Sequence, residues 1–133
     1  MALDGHGIKI KNSGQNYTAT PGSLNAFLRA HGGYTQGNDM EENVVPKVDP
    51  SRVTWPADGM HRTNDITAKE LQGLLRAGRP AIANVMKGAH FVLVKGWDAA
   101  NEDTLVVNDP GFDRATYSLS GDVVGWRLFD MKF

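Results

Sequence analysis

The 133-residue chain contains no cysteine. That excludes disulfides and thiolate metal sites, and it excludes a cysteine nucleophile within these residues. A cysteine-free chain suits any redox compartment, so location stays open. Long apolar runs are missing too. No stretch approaches the ~20 residues of a membrane span, so no membrane insertion is expected, and the opening MALDGHGIKIKNSG lacks the apolar core of a signal peptide. Nor is there an excess of one charge. Fourteen basic against fifteen acidic residues give a net charge of −1 with no basic run, which argues against nucleic acid or an anionic membrane as the main partner. The acidic cluster Asn38-Asp39-Met40-Glu41-Glu42 lacks the alternating ligands and the glycine of a dedicated calcium loop and reads as a solvated turn. Neither a metal nor a cofactor is expected.

What remains is an ordinary globular composition, 41% hydrophobic and 22% charged, long enough for one cored domain. Residues 1–19 read as a polar N-terminal segment in which only Ile8-Lys9-Ile10-Lys11 alternates as an edge strand would. A first helix starts at Thr20 as N-cap with Pro21 in its first turn, buries Leu24, Phe27 and Leu28, and stops at Gly32-Gly33; His31 falls in its last turn and caps it. Residues 34–64 show no period, and Trp55 reads as the anchor of this long loop. A second helix has a capping box at Thr67-Ala68-Lys69-Glu70, a stripe of Leu71, Leu74 and Leu75, and Gly78 as its stop. His6 and His61 read as solvent-exposed.

Three apolar strands follow, Pro80–Val85, Phe91–Gly96 and Thr104–Asp109, and two more are expected at Arg114–Leu119 and Gly125–Phe129. Helix, loop, helix and then strands predict an α+β fold: two helices packed on a mostly antiparallel sheet of about five strands. A hairpin turning at Ala99-Ala100 would set Val94 opposite Leu105, Val92 opposite Val107 and His90 opposite Asp109, all on one face. A carboxylate beside an imidazole fixes its tautomer and orientation, as in half of a catalytic triad. The competing reading is a strand-end histidine bonded to a carbonyl and an Asn-Asp-Pro-Gly turn.

The runs Gly78-Arg79-Pro80-Ala81-Ile82, Gly88 to Gly96 around His90, and Val107-Asn108-Asp109-Pro110-Gly111, with the helix from Thr20, resemble the papain-like cysteine peptidases, in particular the bacteriocin-processing, double-glycine peptidase-like group. The likeness covers roughly residues 18 to 119, so 20–133 reads as the peptidase-like domain. The resemblance implies a papain-like fold and a thiol peptidase or amidase with His90 as base and Asp109 as orienter. It also implies a cysteine at the start of an N-terminal helix, preceded by a glutamine that helps form the oxyanion hole. On one alignment the helix that carries the cysteine is missing from this chain; on another the Thr20 helix takes its place and Ala19 stands where the nucleophile would be. Ser13, Thr18, Thr20 and Ser23 are the hydroxyls that remain, with Gln15 as a possible oxyanion donor, but no strained nucleophile elbow presents any of them. Asn108 and Trp97 are expected to support the corner at His90. The expectation is a degenerate, non-catalytic domain that binds a peptide or protein partner. The alternatives are a peptidase or amidase whose nucleophile helix lies on an upstream segment or a second chain, and a structural component of a larger assembly such as a phage particle or secretion machine.

Overall fold

In a computed structural model, residues 1–36 and 39–132 are described; of the acidic cluster, Asn38 lies outside them. The chain divides into two compact units, Met1–Trp55 with Asp130–Phe133, and Pro56–Phe129.

The first unit holds α1 (Ala2–Gly5), the hairpin β1 (Ile10–Asn12) and β2 (Gln15–Tyr17), α2 (Pro21–Ala30), a 3-10 segment at Glu42–Val48, and β3 (Val53–Thr54). Residues 1–19 are more than a polar lead-in, because Leu3, Ile8 and Ile10 are buried. They take up a helical turn and a hairpin whose register pairs Ile10 with Tyr17. The Thr20 helix is built as its residues dictate. Thr20 Oγ1 accepts the Ser23 N–H at 3.1 Å, and Ser23 Oγ accepts the Thr20 N–H at 2.9 Å, closing a capping box. At the other end Gly32 adopts φ +69°, and the Gly33 N–H reaches the Leu28 carbonyl at 2.7 Å, the bond of a Schellman ending. His31 stacks on Phe27 at 4.0 Å and bonds through Nδ1 to the Phe27 carbonyl at 2.8 Å.

Part of the long loop is structured. Val44, Val45 and Val48 of the 3-10 segment are buried, as is Val53. The sequence hides this because consecutive valines and a proline follow neither a 3.6-residue nor a 2-residue period. Trp55 is only half-buried, whereas Trp126 is the fully buried tryptophan.

The second unit is a six-stranded antiparallel sheet with α3 (Ala68–Arg76) against it. Its strands are β4 (Met60–His61), β5 (Ala81–Val85), β6 (His90–Asp98), β7 (Asn101–Asn108), β8 (Thr116–Ser118) and β9 (Gly125–Arg127), with α4 (Leu119–Asp122) between the last two. Their order in space is β4-β9-β5-β6-β7-β8. The remaining strand, β10 (Asp130–Met131), pairs with β3 in the first unit. The α+β class and the mostly antiparallel sheet agree with the sequence, but the counts do not. The sheet has six strands rather than five, since two-residue β4 is too short to leave a pattern, and two short helices accompany α2 and α3. Within this unit α3 packs against β5 and β6 and the short α4 against β7 and β8; α2 belongs to the first unit, where it meets β1 and the 3-10 segment. The core of the second unit gathers Leu71 of α3 with Ala81, Ala83, Val85, Val92, Val94, Leu105, Val107, Tyr117 and Trp126. Among the described residues, no helix is long and apolar enough to cross a membrane.

A His–Asp corner as candidate functional site

The expected hairpin forms about Ala99-Ala100, but its register differs. Asp98 faces Asn101 at the tip, yet after two irregularities Val94 faces Val107 rather than Leu105. One irregularity spans Lys95, beside Gly96, a residue that commonly marks a bulge inside a strand. At Val94 the net slip is two residues, and an even slip leaves the side chains there on their expected face, whereas Gly96 and Trp97, between the irregularities, are offset by three. Val92, Val94, Leu105 and Val107 are therefore all buried together.

The slip decides how the polar residues meet. Continued beyond the Leu93–Asn108 pair, the register sets His90 against Gly111, not against Asp109. A Cβ placed on Gly111 would stand 3.1 Å from His90 Cε1. The missing side chain is what lets the imidazole lie over the turn, and the Asp109 carboxylate reaches it diagonally from just past the end of β7. Upstream, Met86, Lys87 and Gly88 all have left-handed backbone (φ 53°, 57° and 93°), and this tight reversal delivers His90 beside Val85 at the start of β6. A left-handed conformation costs a non-glycine residue roughly 1–2 kcal/mol, so rigid strands on both sides must hold Met86 and Lys87 in it.

His90 Nε2 lies 2.6 Å from Asp109 Oδ1. Oδ1 also accepts the backbone N–H groups of Gly111 at 2.9 Å and Phe112 at 3.0 Å, and Oδ2 accepts the Tyr117 hydroxyl at 2.6 Å. The Asp109 side chain is 1% exposed and that of His90 16%. Burial of Asp109 works against its charge, but the bonds from Tyr117, the Gly111 N–H, His90 and the Phe112 N–H outweigh it and hold the carboxyl well below the usual carboxylate range. An ionised carboxylate only accepts, so Nε2 carries a proton, and in the neutral imidazole the lone pair is then on Nδ1. Nδ1 makes no hydrogen bond among the described residues. Phe112, 54% exposed, meets the imidazole edge-on at 5.0 Å. Chemically, the corner offers an oriented imidazole acceptor beside an exposed aromatic ring.

The other residues singled out from sequence lie elsewhere. Asn108 precedes Asp109 on β7, but its neighbour Val107 faces the core, so Asn108 belongs to the opposite face of the sheet. Trp97 lies seven residues along β6, about 23 Å from His90 at ~3.3 Å per residue, with the Arg76 guanidinium over its ring at 5.4 Å. It does not support the His90 corner, because β6 runs on past the bulges instead of folding back. Gln15 is exposed in the first unit and accepts the Tyr17 hydroxyl at 2.7 Å. The hydroxyls are engaged locally: Ser23 donates to the Thr18 carbonyl at 2.7 Å, Thr20 caps α2, Thr18 takes a bond from Lys9 at 3.3 Å, and Ser13 turns the β1–β2 hairpin. Among the described residues, no three His, Asp or Glu side chains gather as a metal site.

Sequence reasoning missed the parts that Gly111, Phe112 and Tyr117 play here. One signal was available. Alternation along residues 114–119 turns Tyr117 inward, and a buried tyrosine needs a partner for its hydroxyl.

An α+β domain with an antiparallel sheet and a histidine–carboxylate corner at one strand end is the class that fold and site define. Within it the assignment is direct: the chain belongs to the peptidase C39-like family, whose model matches residues 1–122. That match supports the papain-like relationship and takes in the first nineteen residues as well. No curated protein and no solved structure matches the chain.

Proposed function

We propose that the chain is a degenerate peptidase-family domain that binds a peptide or protein partner at the His90 corner and does not itself cut. The observation that carries this is a contrast: the chain has no cysteine, yet the His90 imidazole stands 2.6 Å from the buried carboxylate of Asp109. In this role His90 Nδ1 accepts a backbone N–H of the partner, and Phe112 supplies apolar contact. The test is twofold. Fluorogenic peptides, including ones containing Gly-Gly, are expected to show no hydrolysis above that of the His90→Ala variant. Peptides that bind are expected to shift the NMR signals of His90 and Phe112. Hydrolysis by the wild-type chain that disappears in His90→Ala would overturn the proposal.

The unbonded Nδ1 favours a second reading. A lone pair held outward is what a thiol would require of its base, and the thiol would then come from an upstream segment or a partner chain. Thiol-sensitive peptidase or amidase activity that appears only with a cysteine-bearing co-purifying chain, and vanishes in His90→Ala, distinguishes this reading from the first.

A further inference from the structure

Tyr117 lies in β8, opposite Leu105 of β7, and is 2% exposed. Its hydroxyl reaches Oδ2 of Asp109, the oxygen that His90 does not use. The ring is held from the other side as well. The Arg114 guanidinium lies 3.8 Å from the ring centroid, and it is anchored in turn by Asp122 Oδ2 at 3.2 Å and the Thr116 carbonyl at 2.8 Å.

The geometry points to Tyr117 as the positioning residue of the His90–Asp109 pair, its hydroxyl fixing the rotation of the carboxylate so that Oδ1 meets Nε2 and Nδ1 is left as the outward acceptor. The torsion of a carboxylate about its terminal bond is soft. Three donors meet Oδ1, and Tyr117 is the sole donor to Oδ2 among the described residues. Without it Oδ2 has no anchor, and the carboxylate is held through Oδ1 alone. The phenol keeps its proton for this task. Burial, the bond to Asp109 and the Asp109 charge push its ionisation upward, against the opposing Arg114. The ionisable groups facing it are Asp109, Arg114 and Asp122. This positioning belongs to the unliganded protein. It rests on the proposed function only for what Nδ1 goes on to meet.

Nitrogen NMR of histidine-labelled protein at a pH where His90 is neutral tests it. The wild type is expected to show a single Nε2–H tautomer at His90. Tyr117→Phe keeps the ring but removes the hydroxyl, and it should shift and broaden the His90 ring-nitrogen signals as the carboxylate that orients the imidazole loses its Oδ2 anchor, while His61 stays unchanged. Identical His90 signals in the two proteins would overturn the inference. Should Tyr117→Phe fail to fold, the wild type decides: a slowly exchanging Tyr117 hydroxyl proton with a cross-peak to the Asp109 side chain supports the inference, and a freely exchanging one overturns it. No peptide is present in these measurements, so failure of the peptide-binding proposal leaves this result standing, and the reverse also holds.

Discussion

Two histidine–aspartate pairs are set on the same six-stranded sheet, and their separations are almost equal. His61 Nδ1 stands 2.7 Å from Asp65 Oδ1, and His90 Nε2 stands 2.6 Å from Asp109 Oδ1. The first pair is four residues apart at the β4 edge, with the Asp65 side chain 52% exposed and no second hydrogen bond to its carboxylate among the described residues. The second joins β6 to the turn after β7, with its carboxylate buried under four donors. Distance does not separate a surface pair from a built site. The surroundings of the carboxylate do, because a buried charge persists only when enough donors replace the water it has lost.

The largest effect expected is at Asp109. Asp109→Ala leaves four donors without their acceptor and should lower the melting temperature on the order of 10 °C. Circular dichroism of the two alanine variants side by side checks this. A drop for Asp109→Ala no larger than that for Asp65→Ala would break the comparison.

Gly111→Ala comes next. Its Cβ would press on His90 Cε1, so the imidazole or the turn must yield, at about 1 kcal/mol. The His90 NMR signals should move while those of His61 do not.

Acid distinguishes the pairs more gently. The folded carboxyl of Asp109 lies below its ordinary value of ~3.9, so its share of stability is fully present above pH ~4 and is lost as pH falls through the folded value. Asp49 and Asp103 are shifted in the same direction and add to the slope: burial of Asp49 is outweighed by Ser51 and Lys11, and Asp103 is lowered by Ser118 and Ser120. Thermal melts should therefore be flat from pH 7 to about 5 and weaken below about 4, and Asp109→Asn should flatten part of that decline. The smallest effect is Asp65→Ala, expected within about 0.5 kcal/mol of wild type, as for an exposed pair.

Much of this fold is written in local residue choices. Thr20 with Ser23, and Thr67 with Glu70, start α2 and α3, and Gly32 and Gly78 end them, because caps act within one turn of chain. The inward set Val92, Val94, Leu105 and Val107 is equally legible, since a period of two survives an even slip. The register is not legible, because bulges depend on how neighbouring strands twist together. Nor is the 3-10 segment at Glu42–Val48, whose valines are buried without any period. The placement of Trp97 is not legible either, for the same reason as the register: adjacency along the sequence says little about which end of a strand a residue serves.

The His90–Asp109 corner divides along the same line. The sequence by itself determined that an imidazole and a carboxylate would share one face of the β6–β7 hairpin, and that no thiol in this chain could join them. Composition and parity suffice for both. Only the tertiary structure decided that Gly111 would lie beneath the ring, that Phe112 would edge against it, and that Tyr117 from β8 would hold the far oxygen of Asp109. Those contacts depend on the register and on a third strand, and both are settled by packing across the sheet rather than by any residue's own preference.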